Sequence, residues 1–233
     1  MRLTNLQDAL AASQQRLHPS ITNPSWLVLT KRREIFQKWI EQLPTQNITV
    51  LDVGGRLQPY RSLLKSRAHQ YISVDIHSTP LLDVVANGQQ LPFPSATFDL
   101  VICTQMLEYV FEPHSVLSEI HRVLRPNAVV MLSVPSAHVR DNDHECWSFH
   151  PESMRRLLMS FTDVKIIPEG GSILGFFCTM NVCLSVFAKY SLIRLALSLT
   201  LFPFFNALGY LLETLSWSSN QQFTVNYSAL ARK

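Results

Sequence analysis

Cysteine and charge are both scarce in this chain. Its 233 residues include four cysteines, Cys103, Cys146, Cys178 and Cys183. No two form a Cys-x-x-Cys pair and no histidine follows at zinc spacing, which argues against a structural zinc site. Buried, reduced thiols in a cytoplasmic protein are the expectation. Charged residues make up 16% of the chain and the net charge is +3. That balance gives no basic stripe of the kind that marks a nucleic-acid-binding surface. The opening residues, Met1-Arg2-Leu3-Thr4-Asn5-Leu6-Gln7-Asp8, lack the apolar segment of a secretory signal. Internal repeats and low-complexity tracts are lacking too. Apolar residues make up 47%, and with charged ones well short of the usual quarter or so the chain as a whole is apolar for a soluble protein. The length suffices for one α/β domain with a full core.

The stretch Ile48-Thr49-Val50-Leu51-Asp52-Val53-Gly54-Gly55-Arg56 reads as a buried strand that ends in an acid and breaks into a glycine turn. Its β-branched apolar run suits a parallel strand covered on both faces. Glycine lets backbone approach a ligand closely, although two glycines also simply turn a chain. Helix-like Pro59-Tyr60-Arg61-Ser62-Leu63-Leu64 follows. Strand, turn and helix in this order open a doubly wound α/β sheet, where ligands lie over the carboxyl ends of the strands. A second strand over 70–75 ends in Asp75, placed to accept the two hydroxyl hydrogens of a ribose. A third is read over 82–86, a fourth over 98–103 and a fifth over 128–134. Between the last two, Val116, Leu117, Ile120, Val123 and Leu124 give a helix starting near Pro113 one apolar face. A helix over 152–158 and a sixth strand over 162–167 come next, and a seventh strand is read over 223–230. Residues 1–45 read as two peripheral helices.

Several of these pieces together carry a resemblance. They are Leu51-Asp52-Val53-Gly54, Asp75, Leu91-Pro92-Phe93 with Phe98-Asp99-Leu100-Val101, and Glu119-Ile120-His121-Arg122-Val123-Leu124-Arg125-Pro126. Over residues 48–161 the chain resembles the class I S-adenosylmethionine-dependent methyltransferases, within them the type 11, small-molecule-like group. The resemblance implies a seven-stranded Rossmann-like sheet and S-adenosyl-L-methionine as cofactor. It also implies residue roles. Asp52 would hold the turn, Gly54 and Gly55 would pass the methionine part, and Asp75 would bind the ribose. Asn87 and Gly88 would face the adenine, and the backbone of Thr104 and Gln105 would meet the amino group. The chain departs from the family's Gly-x-Gly-x-Gly, since Arg56 and Gln58 fill two of the glycine sites. A positive φ at Arg56 would cost about 1–2 kcal/mol. That departure motivates the alternative of a catalytically degenerate binding protein. A nicotinamide enzyme fits less well, because Gly-x-Gly-x-x-Gly is missing.

Residues 135–150 would lie where an acceptor approaches the transferred methyl. They hold His138, His144 and Trp147 among several carboxylates. His138 and His144 are the candidate general bases, although a polar loop with a structural Trp explains the same residues. His138, Asp141 and His144 do not have diagnostic metal spacing, so no metal is expected.

The apolar excess lies in a helical insertion between strands six and seven. Its two apolar blocks, 173–188 and 195–212, are interrupted by Lys189 and Arg194. Each is at or below the roughly 18–20 residues of a spanning helix. Three readings remain: a hairpin lying in a membrane surface, helices burying against each other, or a homodimer face. The resulting divisions are an N-terminal cap (1–45), the core (46–170), the insertion (171–219) and the last strand (220–233). The function expected is methyl transfer to a small-molecule, glycan or lipid-linked acceptor, in the cytoplasm or against the inner face of a membrane.

Overall fold

A computed structural model describes residues 5–44, 47–64, 66–137, 146–215 and 221–233. The strands form where apolar β-branched runs predict them: β1 (Ile48–Val53), β2 (Ala68–Asp75), β3 (Val84–Val85), β4 (Phe98–Thr104), β5 (Leu124–Pro135), β6 (Thr162–Pro168) and β7 (Asn226–Arg232). They make one sheet in the order β3-β2-β1-β4-β5-β7-β6. β1 pairs in parallel with β2 and β4, and β4 in parallel with β5. β7 alone runs antiparallel, between β5 and β6. The strand order reverses between β1 and β4, so the crevice for a ligand opens over their carboxyl ends.

Successive residues of the strands feed opposite cores, as their period of two requires. On one face Leu51, Val53, Val130, Leu132 and Val134 pack with helices α3 (Pro113–Val123) and α4 (Pro151–Leu157). On the other, Val50, Val129 and Met131 pack with α1 (Leu6–Leu17), α2 (Trp26–Glu41) and the 3₁₀ helix Pro59–Leu64. Asn5 caps α1 by accepting the Gln7 N–H at 2.8 Å, a standard way to satisfy a free helix donor.

Some boundaries differ from the sequence reading. β3 shrinks to two residues, and β5 begins at Leu124 because the turn is made inside the strand at Asn127, whose φ is +66°. β7 starts at Asn226 because the residues before it close the insertion. There Phe223 N–H donates to Ser172 Oγ at 3.0 Å, and Val225 O accepts from Ser136 and Ala137. Cys103 and Cys178 are buried as expected, whereas Cys146 and Cys183 are exposed.

The insertion forms three α-helices, α5 (Ser172–Ser185), α6 (Ser191–Leu199) and α7 (Leu201–Leu215), with a 3₁₀ helix, Val186–Lys189, following α5. Extended Tyr190 (φ −90°, ψ 126°) separates the first two, and Thr200 (φ −121°, ψ −77°) the last two. Pro203 falls in the first turn of α7, where a missing N–H costs nothing. Two stretches, Ser172–Lys189 and Ser191–Leu215, are long and apolar enough to cross a membrane by length and composition. The inner faces of α5 and α7 are nevertheless committed to the domain. A Cβ on Gly209 would lie 2.9 Å from Phe177 Cβ and 3.1 Å from Leu27 Cδ1, so α7 packs closely on both α5 and α2. Asn181 donates to Asn206 at 2.9 Å, and Asn206 in turn donates to the carbonyls of Ile21 (2.7 Å) and Asn23 (2.9 Å).

Arg32 and Glu169 form an ion pair that is almost wholly buried. Glu169 follows β6 directly and is 0% exposed. Its carboxylate accepts Arg32 Nε–H at 3.0 Å, Ser133 Oγ–H and Ser228 Oγ–H at 2.6 Å each, and Asn226 Nδ2–H at 3.2 Å. Burial alone would lower the Arg32 guanidinium pKa, and the Glu169 charge more than reverses this. The pair joins α2, β5, β7 and the start of the insertion. Glu169→Ala leaves a buried cation without its partner and is expected to cost about 3–5 kcal/mol. The double variant Arg32→Met/Glu169→Leu should recover part of that loss. Urea unfolding of the two variants measures both.

Candidate functional site

The glycine turn, the end of β2, the residues after β3 and the end of β4 converge at the carboxyl edge of the sheet. Gly54 has φ +77°, and a Cβ there would stand 2.8 Å from both Met106 Cβ and Cγ. A Cβ on Gly88 would stand 3.1 Å from Met106 Cε and 3.3 Å from Val53 Cγ1. Met106 therefore stretches between the two glycines; Gly54 must be bare to let it lie there, and Gly88 packs tightly on its far end. Sequence reasoning missed Met106; its position just past the end of β4 is the signal that could have found it.

Asp52 lies under the turn rather than in the crevice. It is buried, and Tyr71 O–H donates to its Oδ2 at 2.6 Å. A Cβ on Gly55 would fall 2.3 Å from Asp52 Cγ, so the glycine sits directly against the carboxyl group. The Gly54 and Gly55 N–H groups both donate to Val74 O, at 2.8 and 3.2 Å. The turn is thus tied to β2 from above and propped by Asp52 from below.

The strain expected at Arg56 falls elsewhere. Among the described residues of the turn, positive φ occurs at Gly54 and at Gln58 (φ +49°), not at Arg56. Gln58 is buried and fully engaged. Its Nε2 donates to Ser73 Oγ at 2.7 Å and to Leu81 O, and its Oε1 accepts from Arg61 at 2.7 Å. Asp83 completes the cluster by accepting from Ser73 N–H (2.9 Å) and Ser73 Oγ–H (2.8 Å). A side chain has replaced the family glycine, and its hydrogen bonds offset the cost of the left-handed backbone.

Asp75 ends β2 with its side chain 13% exposed, and its Oδ1 accepts His77 N–H at 2.7 Å. Asn87 is exposed at the surface, and its Oδ1 accepts Gln89 N–H at 3.0 Å, an Asx turn that shapes the loop. Gln105 has φ +50°; its N–H donates to Ser133 O at 2.8 Å and its side chain to Ser133 Oγ at 3.3 Å. Its N–H is therefore spent on the sheet. An ammonium group needs acceptors, so carbonyls are what this corner could offer one.

The candidate bases His138 and His144 lie outside the described residues. The chain that follows is strapped onto the 3₁₀ helix Leu107–Tyr109, where Glu108 O accepts from Cys146 N–H (2.7 Å) and Trp147 N–H (3.2 Å). Trp147 Nε1–H donates to Val110 O at 2.9 Å. That fixes the indole edge and leaves an exposed ring. His150 is structural: it forms a capping box with Ser153 at the start of α4. Arg16, in the last turn of α1, is reached by solvent yet crowded. Burial first and the charge of Arg32 second lower its guanidinium pKa, with Arg56, Tyr60 and Tyr109 also in electrostatic reach. No group of metal-ligating side chains is found among the described residues.

This sheet order, with a glycine turn at its switch point and an acid ending the second strand, defines a Rossmann-like fold of the class I methyltransferase type. Residues 51–132 match the family described as methyltransferase domain. An uncharacterized methyltransferase of Mycolicibacterium gilvum is 31% identical over 101 residues, covering 38% of this chain and 40% of that protein. The ubiquinone biosynthesis O-methyltransferase of Actinobacillus pleuropneumoniae is 27% identical over 93 residues, covering 40% of this chain and 39% of that one. The match thus spans about two fifths of the length of either relative. In fold, a SAM-dependent methyltransferase from Archaeoglobus fulgidus aligns with a TM-score of 0.57 at 16% identity, over 96% of this chain and 99% of that one. Residues 51–132 thus match a methyltransferase domain in sequence, and the chain shares its fold with S-adenosylmethionine-dependent methyltransferases.

Asp52 supplies a test of how the turn is built. Burial, and to a lesser degree the charge of Asp75, push its pKa from 3.8 up to about 7, against the pull of the Tyr71 hydrogen bond. A carboxyl group raised on folding contributes stability below its unfolded value and loses it as pH climbs through the folded one. Stability should therefore fall between about pH 4 and pH 7, by at most about 1.4 kcal/mol per unit. Asp52→Asn should flatten that slope in urea unfolding across the same range.

Proposed function

We propose that this protein transfers the methyl group of S-adenosylmethionine to an amphipathic or lipid-linked acceptor. The carrying observation is the glycine turn of Gly54 and Gly55 at the switch point of the sheet, with Asp75 ending the neighbouring strand β2. A glycine turn and an acid at the carboxyl ends of adjacent strands fit a nucleoside lying over the sheet edge. Asp75 would take the ribose hydroxyls, and Leu91 and Met106 would offer apolar contact to the adenosyl group. The loop of Asn87 and Gly88 would border the base, and the carbonyls of Thr104 and Gln105 would receive the ammonium. Arg16 and Arg56 supply positive charge near the turn, suited to a carboxylate. When bound, the cofactor provides an electrophilic methyl on a sulfonium.

The chain's own residues then have mainly to align the acceptor and exclude water, which is where most of the rate gain of such a transfer arises. On transfer the acceptor heteroatom would take the methyl, while the electron pair of the broken C–S bond would stay on sulfur. The acceptor proton leaves to a base, for which His138 and His144 are the candidates on sequence grounds. Homology to a ubiquinone-pathway enzyme and the apolar insertion beside the crevice support an amphipathic acceptor at a membrane's cytoplasmic face.

Titration calorimetry with S-adenosylmethionine tests the cofactor assignment. Saturable binding is expected, and Asp75→Ala should weaken it about a hundredfold by removing two hydrogen bonds to a charged acceptor. No heat at millimolar cofactor would instead favour a protein that keeps the fold without the chemistry, as the side chain at Gln58 would suit. A labelled methyl donor added to lipid extract, followed by mass spectrometry, then reports the acceptor class.

A further inference from the structure

The exposed face of the insertion is more apolar than the surface an isolated soluble domain usually presents. Along α6, Leu197 is the buried residue, while Leu192, Ile193, Leu195 and Leu199 are exposed, Leu192 to 80%. Phe187 precedes this row, and Phe204 and Leu215 on α7 extend it. A contiguous apolar surface of this kind marks an interaction site.

Its charge pattern selects the partner. Residues 172–212 contain no acidic side chain, and their charged residues are Lys189 and Arg194, both exposed. The nearest acid, Glu213, turns inward to accept the Gly171 and Leu174 N–H groups at the start of α5. Lys189 lies 5.1 Å over the Tyr190 ring, pairing a cation with the aromatic type favoured at a membrane–water boundary. Apolar side chains beside cations, with no anion among them, complement an anionic lipid surface.

Topology sets the direction. β5 and β6 are both antiparallel to β7 and hence parallel to each other. The insertion therefore leaves β6 at the same sheet edge as the crevice. The polar latches of Asn206 and Glu213 keep α5 and α7 on the domain, which leaves α6 and the outer rows to meet lipid.

We propose that α6 and the outward rows of α5 and α7 form a docking surface that inserts into one leaflet of an anionic bilayer. The crevice then opens beside the lipid. This rests on the proposed function only for the acceptor's route, since membrane docking is read without any methyl donor.

Flotation of the full chain with vesicles tests it. The protein should float with phosphatidylcholine vesicles containing phosphatidylglycerol and much less with phosphatidylcholine alone. Leu192→Glu and Leu195→Glu should each weaken binding about tenfold or more. The double variant Lys189→Glu/Arg194→Glu should abolish the preference for anionic vesicles, and salt should weaken wild-type binding. All four positions are exposed, and circular dichroism checks that the variants fold. Failure to float with either vesicle overturns the proposal, and equal flotation with both overturns the anionic partner. A dimer in sedimentation without lipid, split by Leu192→Glu, would assign the face to a second copy of the chain and overturn it as well. Methyl transfer that fails while flotation persists would count against the proposed activity alone.

Discussion

The Arg32–Glu169 ion pair is the constraint on which the rest of the architecture depends. Water is almost wholly excluded from it, so each charge relies on the other and on Ser133, Ser228 and Asn226 for compensation. These partners come from α2, β5 and β7. The geometry can be satisfied only when the N-terminal helices, the middle of the sheet and its last strand are all in place. Gly170, with φ +103°, and Gly171 follow the glutamate at once, so the same residue sets where the insertion departs. Helix α2 thus ties the sheet to the apolar helices, through Arg32 on one side and Leu27 and Val28 on the other.

The crevice shows how a family pattern is rewritten without losing its shape. Two glycines survive where a Cβ would strike Met106 or Asp52, and there no side chain could be accommodated. At Gln58 the backbone remains left-handed, but space exists and the side chain has been put to use bridging β2 to the following loop. Steric necessity is kept and conformational preference is overridden, at the expense of a small local strain.

Much of this was legible in the sequence, for identifiable reasons. β1, β4 and the apolar face of α3 were readable because their periodicity is strong and their ends are marked by Gly54 and Pro113. The acids Asp52 and Asp75 were readable because one stands next to the end of β1 and the other ends β2. Met106 was not, because an apolar residue after a strand looks like any other core residue until the two glycines facing it are seen. The Arg32–Glu169 pair was invisible for a different reason: its members stand 137 residues apart, and charged residues on a helix read by default as solvated. The three-helix form of the insertion was missed because Tyr190 and Thr200 carry no breaker signature.

One feature of the sheet bears on how the molecule is made. β7 fits between β5 and β6, yet it follows the whole insertion in the chain. On the ribosome, the edges of β5 and β6 that β7 will join stay open while the segment between Pro168 and Asn226 is synthesised, roughly 3–12 s at ordinary rates. Three apolar helices emerge during that interval, before the ladder that anchors them exists. The nascent protein is therefore exposed to aggregation for longer than its size alone would require, and early capture by a chaperone or by a bilayer would shelter it.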